Sequence, residues 1–73
     1  MDACKIFGAA FRRAREARGL TQEEAAYQAG VAPGYLSQIE NGHRNPSLLV
    51  IVALAAVVDA LPADLLKEIN PKV

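Results

Sequence analysis

Residues that start or stop helices divide this 73-residue chain into five short segments, and this division most limits its possible folds. Gly19 and Gly30 are typical helix ends, because glycine readily adopts the left-handed torsions that close a helix. Pro33 and Pro62 are typical helix starts, because the first helical turn does not use the N–H group that proline lacks. With no candidate β-strand between these signals, the sequence predicts an all-α fold.

Side-chain caps refine the expected bounds of the helices. Thr21 stands three residues before Glu24, which is the spacing of a capping box at the start of a second helix. Ser47 is a typical cap for the fourth helix, whereas Ala32 has no side-chain acceptor to cap the third. The expected helices are residues 3–18, 22–29, 33–40, 48–58 and a fifth that starts at Pro62 and ends at Asn70-Pro71.

The length and composition favour one small domain over residues 1–73. A chain of this size buries only about 60% of its unfolded surface, so its stability is expected to be thin. Cys4 is the single cysteine, which rules out an intrachain disulfide and, with the lone His43, a clustered Cys/His metal site. We expect a cytoplasmic protein without a signal peptide, metal or cofactor.

The 73 residues carry no formal net charge, which is unusual for a protein that binds nucleic acid. The charges are nevertheless unevenly placed, since residues 1–18 hold five basic and two acidic side chains and the rest hold three basic and six acidic. The first helix is therefore expected to carry most of the positive charge.

The second and third predicted helices are joined by a tight turn at Gly30-Val31, which is the layout of a helix-turn-helix over about residues 22–41. In and around this segment stand Arg15, Gly19-Leu20-Thr21-Gln22-Glu23-Glu24, Ala26, Gly30-Val31 and Tyr35-Leu36-Ser37-Gln38-Ile39-Glu40-Asn41-Gly42. With these residues the chain resembles the Cro and phage-repressor (XRE-like) class of DNA-binding domains. The later segment Arg44-Asn45-Pro46-Ser47-Leu48 is similar to small restriction–modification controller proteins. The resemblance implies a five-helix, lambda-repressor-like fold.

The same resemblance implies that the third helix reads bases in the major groove of double-stranded DNA. Gln38 is able to form a bidentate contact with adenine, and Ser37 is able to bond to several bases. Pro33 and Gly34 carry no side-chain hydrogen-bonding group. Tyr35 offers either a phosphate contact through its hydroxyl or a thymine-methyl contact through its ring. The expected base-facing residues are Pro33, Gly34, Tyr35, Ser37 and Gln38.

Phosphate contacts are expected at the start of the second helix and after the third. Gln22 lies where free N–H groups and the helix dipole favour an anion, although a second helix cap is the alternative role. Arg44 is the strongest single candidate, and the Asn41-Gly42 backbone N–H groups are expected to point to the same phosphates. The expected phosphate-binding residues are Gln22, Asn41, Gly42, Arg44 and Asn45.

Arg15 and Glu40 are expected to be structural. In the class that the chain resembles, the matching residues form a partly buried salt bridge from the first helix to the end of the third. Such a bridge would fix the orientation of the recognition helix.

The segment from Leu48 to Val58 is apolar on every side, and a helix of this kind needs cover on every side. It is too short for a membrane span, which takes roughly 20 residues. Val52, Leu54, Ala55 and Val58, or their neighbours, are expected to face the core. A homodimer interface is then expected at Leu49, Val50, Ala53, Ala56 and Val57.

The favoured interpretation is a transcriptional regulator that binds a pseudo-palindromic operator as a homodimer. An antitoxin-like module, whose main ligand is a partner protein, is the alternative. An enzyme is disfavoured because the chain has one histidine, one cysteine and no glycine-rich phosphate loop.

Overall fold

The computed structural model describes residues 2–69, and this part of the chain forms five α-helices and no strand. The all-α fold class predicted from the sequence is therefore confirmed. The helices are α1 (Ala3–Ala17), α2 (Gln22–Ala29), α3 (Pro33–Glu40), α4 (Leu48–Val57) and α5 (Pro62–Leu66). None of the helices within residues 2–69 is both long and apolar enough to cross a membrane.

The helix ends differ from the expected ones mainly at α5. This helix stops at Leu66, where the Ile69 N–H group donates to the Leu66 carbonyl at 3.0 Å and tightens the chain into a turn. The expected stop at Asn70-Pro71 lies outside the described residues. α1 and α4 each end one residue earlier than expected, because Arg18 and Val58 occupy the C-terminal cap positions.

Side-chain caps begin three of the helices. Asp2 accepts the N–H of Lys5 at 3.1 Å, and Ser47 accepts the N–H of Val50 at 3.2 Å. At α2 the predicted capping box forms in both directions, with Thr21 and Glu24 each accepting the other's backbone N–H. α3 has no side-chain cap, as Ala32 implied, and begins with Pro33 instead.

One apolar core joins all five helices. α1 contributes Phe11, α4 contributes Leu54, and α3 contributes Leu36 and Ile39, all four of which are fully buried. The remaining buried apolar residues are Phe7, Ala25, Ala26, Ala55, Val58 and Leu65. Because α3 buries two large side chains here, its opposite side faces solvent and its orientation relative to the core is fixed.

α1 and the end of α3 approach each other closely at Gly8. A Cβ atom at this position would overlap the backbone oxygen of Ile39 and lie 2.8 Å from that of Glu40. Only glycine therefore lets α1 lie directly against the last turn of α3. The sequence pattern gave no sign of this contact, because it joins residues that are far apart along the chain.

The core-facing side of α4 is partly different from the expected one. Leu54, Ala55 and Val58 are buried as expected, but Val52 is 46% exposed. Ile51 packs against the core instead. Because α4 is apolar on every side, its sequence carries no periodicity that marks the buried face, and packing against its neighbours decides it.

Candidate nucleic-acid interface

α2 and α3 are joined by a tight turn in which Gly30 adopts the left-handed conformation, with φ of 74°. The N–H of Val31 donates to the Ala26 carbonyl at 3.0 Å and closes the end of α2. α3 then starts at Pro33, so the two eight-residue helices form the predicted helix-turn-helix.

The outer side of α3 carries the residues expected to face DNA bases. Pro33, Gly34 and Gln38 are exposed, and Ser37 is half-buried beside them. Tyr35 lies at the edge of this side, where it is half-buried and packs against the core. We call the surface formed by Pro33, Gly34, Tyr35, Ser37 and Gln38 the α3 face.

Arg44 folds back onto the α3 face. Its Nε atom donates to Oε1 of Gln38 at 2.7 Å, and its guanidinium carbon lies 5.1 Å from the centroid of the Tyr35 ring. A cation this close to an aromatic ring is attracted by the ring's quadrupole. The expected phosphate-binding residue and the expected base-reading residue are therefore in direct contact, which the sequence did not predict.

The loop after α3 corrects one expectation from the sequence. The backbone N–H groups of Asn41 and Gly42 donate to the Ser37 and Ile39 carbonyls at 3.1 and 3.0 Å, so they are not free for phosphate. They are used because the last carbonyls of a helix need donors from the chain that follows. The Asn41 side chain also donates to the Ser37 carbonyl, whereas the side chain of Asn45 is exposed.

Lys5 adds a cation beside this loop that the sequence did not single out. A Cβ atom at Gly42 would lie 2.9 Å from the Cα atom of Lys5 and would overlap its side chain, so α1 packs directly on the loop here. Lys5 is exposed and makes no ion pair within residues 2–69. No signal in the sequence identifies Lys5, because its place beside the loop depends on how α1 packs against the end of α3.

Ion pairs reduce the positive charge that α1 presents to solvent. Arg12 pairs with Glu16 at 3.3 Å, and Arg13 pairs with Glu68 at 3.1 Å. Both pairs are more than half exposed, so they contribute little to stability. The basic character of residues 1–18 is thus weaker at the surface than the count of charges indicates.

Behind the α3 face, a buried salt bridge joins three helices. Arg15 donates to both carboxylate oxygens of Glu40, from Nε at 2.7 Å and from Nη2 at 3.0 Å. Arg15 Nη1 also donates to the Leu20 carbonyl, and Gln22 Nε2 donates to Glu40 Oε1 at 2.9 Å. The hydrogen bond to Glu40 raises the pKa of Arg15, so its guanidinium is charged at every ordinary pH.

The surface of α4 is apolar and largely open. Leu48 and Leu49 are 72% and 80% exposed, and Val52 and Ala56 are exposed beside them. We call these four residues the α4 surface. Val50 and Val57, which were expected in the dimer interface, are half-buried and pack against the core, and Ala53, expected there too, is half-buried.

Comparison with known proteins agrees with this geometry. A model of the helix-turn-helix family matches residues 11–66 of the chain. The HTH-type transcriptional regulator y4dJ of Sinorhizobium fredii, whose name describes it as uncharacterized, is 38% identical over 65 residues, covering 89% of this chain and 84% of the relative. SinR of Bacillus subtilis, also an HTH-type transcriptional regulator, is 38% identical over 64 residues, and the match spans 58% of its length.

Solved structures with similar sequences share the fold. The restriction-modification controller protein C.AhdI from Aeromonas hydrophila superposes with a TM-score of 0.83 at 39% identity, covering 85% of this chain and 94% of that one. SinR in complex with DNA has a TM-score of 0.78 at 36% identity, covering 82% and 97%. The complex of SinR with the SinI protein has a TM-score of 0.82 at 34% identity, covering 92% and 66%.

Proposed function

Since this chain belongs to the helix-turn-helix family of DNA-binding transcriptional regulators, we propose that it binds a pseudo-palindromic operator as a homodimer. Membership of this family also confirms the resemblance inferred from the sequence and the prediction that the chain is not an enzyme. As a regulator of transcription the protein would act in the cytoplasm, in contact with DNA.

The observation that carries the proposal is that the core and a buried salt bridge hold α3 with the α3 face exposed. Leu36 and Ile39 bury one side of α3, and the Arg15–Glu40 bridge holds its last turn against α1 and α2. The polar side chains of Ser37 and Gln38 then lie on the opposite side at a fixed angle. A short helix presented in this way fits the major groove, which is about 12 Å wide.

Phosphate contacts on both sides of α3 would set the position of the duplex. Gln22 lies at the start of α2, where the helix dipole favours an anion. Arg44, Asn45 and Lys5 lie beyond the other end of α3, at or beside the loop that follows it. Together these side chains would hold the α3 face in the groove without reading the sequence themselves.

The α4 surface supports a homodimer. Leu48, Leu49 and Val52 expose apolar area that a second copy of the chain would cover, and burial of such area drives association. A dimer would also compensate for the weak attraction of an uncharged chain to DNA, because two weak half-site contacts add within one complex. A two-fold axis would place the two α3 helices in successive major grooves about 34–36 Å apart.

The direct test measures DNA binding and mass on the same preparation. The protein is titrated into duplex DNA from upstream of its own gene and into random duplex DNA, at several salt concentrations. We expect tighter binding to the upstream DNA and a dimer mass by light scattering at micromolar concentration. Equal binding to both DNAs, or a monomer across that range, would overturn the corresponding part of the proposal.

A second candidate function follows from the complex of SinR with SinI, in which a similar protein is bound to a partner protein. The α4 surface would then receive a partner, as in an antitoxin-like module, and DNA binding would be secondary. Pro33 and Gly34 favour this candidate because neither carries a side chain that bonds to a base. Weak, salt-sensitive binding to every DNA by a monomer would support it over the homodimeric regulator.

A further inference from the structure

We infer that Arg44 is a positioning residue for base recognition, which turns the amide of Gln38 so that Gln38 reads guanine rather than adenine. The inference rests on the proposed DNA-binding function and adds to it the base that the α3 face selects. Three contacts support it. Arg44 contacts Gln38, Arg44 contacts Tyr35, and the loop that follows α3 is hydrogen-bonded back to α3.

The contact between Arg44 and Gln38 fixes which end of the amide points where. A guanidinium group has donors and no acceptor, so the Gln38 atom 2.7 Å from Arg44 Nε must be the carbonyl oxygen, Oε1. The two ends of a glutamine amide are otherwise hard to distinguish, because they have nearly the same shape. Here the chemistry of Arg44 removes the ambiguity and leaves the NH₂ group of Gln38 on the side away from Arg44.

Arg44 is itself held in place. Its guanidinium carbon lies 5.1 Å from the centroid of the Tyr35 ring, and Tyr35 packs against the core. The backbone N–H of His43 donates to the backbone carbonyl of Gln38 at 2.8 Å, and this bond holds the loop against the same turn of α3. The orientation of the Gln38 amide is therefore set before DNA arrives, and little side-chain freedom remains to be lost on binding.

The orientation decides which base fits. Guanine presents two acceptors in the major groove, N7 and O6, which match the two N–H donors of the Gln38 NH₂ group. The bidentate contact with adenine instead requires Oε1 to accept from the base N6 amino group while the NH₂ group donates to N7. With Oε1 turned toward Arg44, the donor-only contact to guanine is favoured.

The experiment selects preferred half-sites from a pool of random duplex DNA with the protein and three variants. We expect the parent to favour guanine over adenine at one base pair by about 5- to 150-fold, the range of a good two-point contact. Gln38→Ala should lose the preference at that base pair only. Arg44→Ala should shift the same base pair toward adenine, because the amide becomes free to turn over.

Arg44→Lys separates orientation from charge. Lysine keeps the positive charge but lacks the planar fork that stacks on Tyr35 and fixes the Nε–H direction. We therefore expect this variant to show the parent's salt dependence together with the base preference of Arg44→Ala. Since both Arg44 and Gln38 are exposed, all three variants should melt close to the parent temperature.

Several outcomes would overturn the inference while leaving DNA binding intact. These are adenine at the Gln38 base pair in the parent, an unchanged preference in Arg44→Ala, and a parent-like preference in Arg44→Lys. A parent protein that enriches no sequence would overturn the proposed operator binding and this inference with it. The selection thus distinguishes failure of the orientation mechanism from failure of the function.

Discussion

The side-chain amide of Gln22 donates to Oε1 of Glu40 across 2.9 Å, and this bond joins the start of α2 to the end of α3. The same oxygen accepts from Arg15, so one carboxylate connects three helices. An amide NH₂ group has two hydrogens, and the bond to Glu40 uses one of them. The fold therefore holds the Gln22 side chain at the start of α2, where we propose that it contacts a DNA phosphate.

Replacing Arg15 with alanine should destabilise the protein by about 3–5 kcal/mol, because the Glu40 carboxylate would be left buried without its partner. A domain this small has little stability to lose, so much of the variant should be unfolded at room temperature. Urea denaturation followed by circular dichroism measures the change. Arg12→Ala is the matched control, since its ion pair with Glu16 is exposed and contributes little.

If Arg15→Ala melts like the parent and still loses DNA affinity, Arg15 contacts DNA, and the prediction that it acts only through stability is wrong. If stability and affinity fall together, the loss of binding follows from loss of the fold. The Arg12→Ala control should keep both.

Gly8→Ala should destabilise the protein by about 1–3 kcal/mol, the usual cost of an extra methyl group in a packed contact. The new Cβ would overlap the Ile39 backbone and push α1 away from the last turn of α3. Gly34→Ala is the control, because a Cβ at that exposed helical position has open space around it. Alanine is the better helix former, so the control should melt at or above the parent temperature. Equal melting of the two variants would contradict the close approach of α1 and α3.

Glu24 should make stability depend on pH in the acid range. The backbone N–H of Thr21 donates to its carboxylate and lowers its pKa in the folded state. The stabilisation is therefore complete above the unfolded-state pKa, about 4.3, and is lost as the pH falls through the lower folded-state value. The melting temperature of the parent should exceed that of Glu24→Gln at pH 7, and the difference should shrink below about pH 4. A difference that does not change with pH would show that the charge of Glu24 plays no part.

Leu49→Glu should weaken self-association without unfolding the protein, because the side chain is 80% exposed on the α4 surface. Light scattering at micromolar concentration should detect a shift toward monomer, and DNA affinity should fall with it. Val57→Glu should also lower the melting temperature, since Val57 packs against the core. Ala9→Glu introduces the same charge at an exposed site on α1 and should keep the dimer. A dimer that survives Leu49→Glu would place the interface elsewhere.

Arg44→Ala should weaken binding to operator and random DNA and reduce its dependence on salt. Each neutralised phosphate contributes about −0.9 to the slope of log affinity against log salt, so a dimer that loses two contacts should have a slope shallower by roughly two units. Gln38→Ala should keep the parent slope and lose affinity for the operator only, by about 1–3 kcal/mol per half-site. Equal losses on both DNAs for Gln38→Ala would show that this residue does not read bases.

The sequence by itself determined where all five helices begin and, to within one residue, where the first four end. The caps at Thr21 and Ser47, the proline starts at Pro33 and Pro62 and the glycine at Gly30 act on backbone groups within a few residues of themselves. Local hydrogen bonds of this kind depend on the order of residues and little else. The pairing of Arg15 with Glu40 was also expected, but only through the family resemblance, because 25 residues separate the two.

Only the tertiary structure decided how the helices meet and which side chains they bring together. α4 is apolar all round, so packing rather than pattern chose Ile51 over Val52 for the core. The fit of Gly8 against α3 and the return of Arg44 to Gln38 likewise join residues that are apart in the sequence. Such contacts depend on the positions of whole helices. The helices take these positions because all their apolar faces must be buried together, and no single segment carries that information.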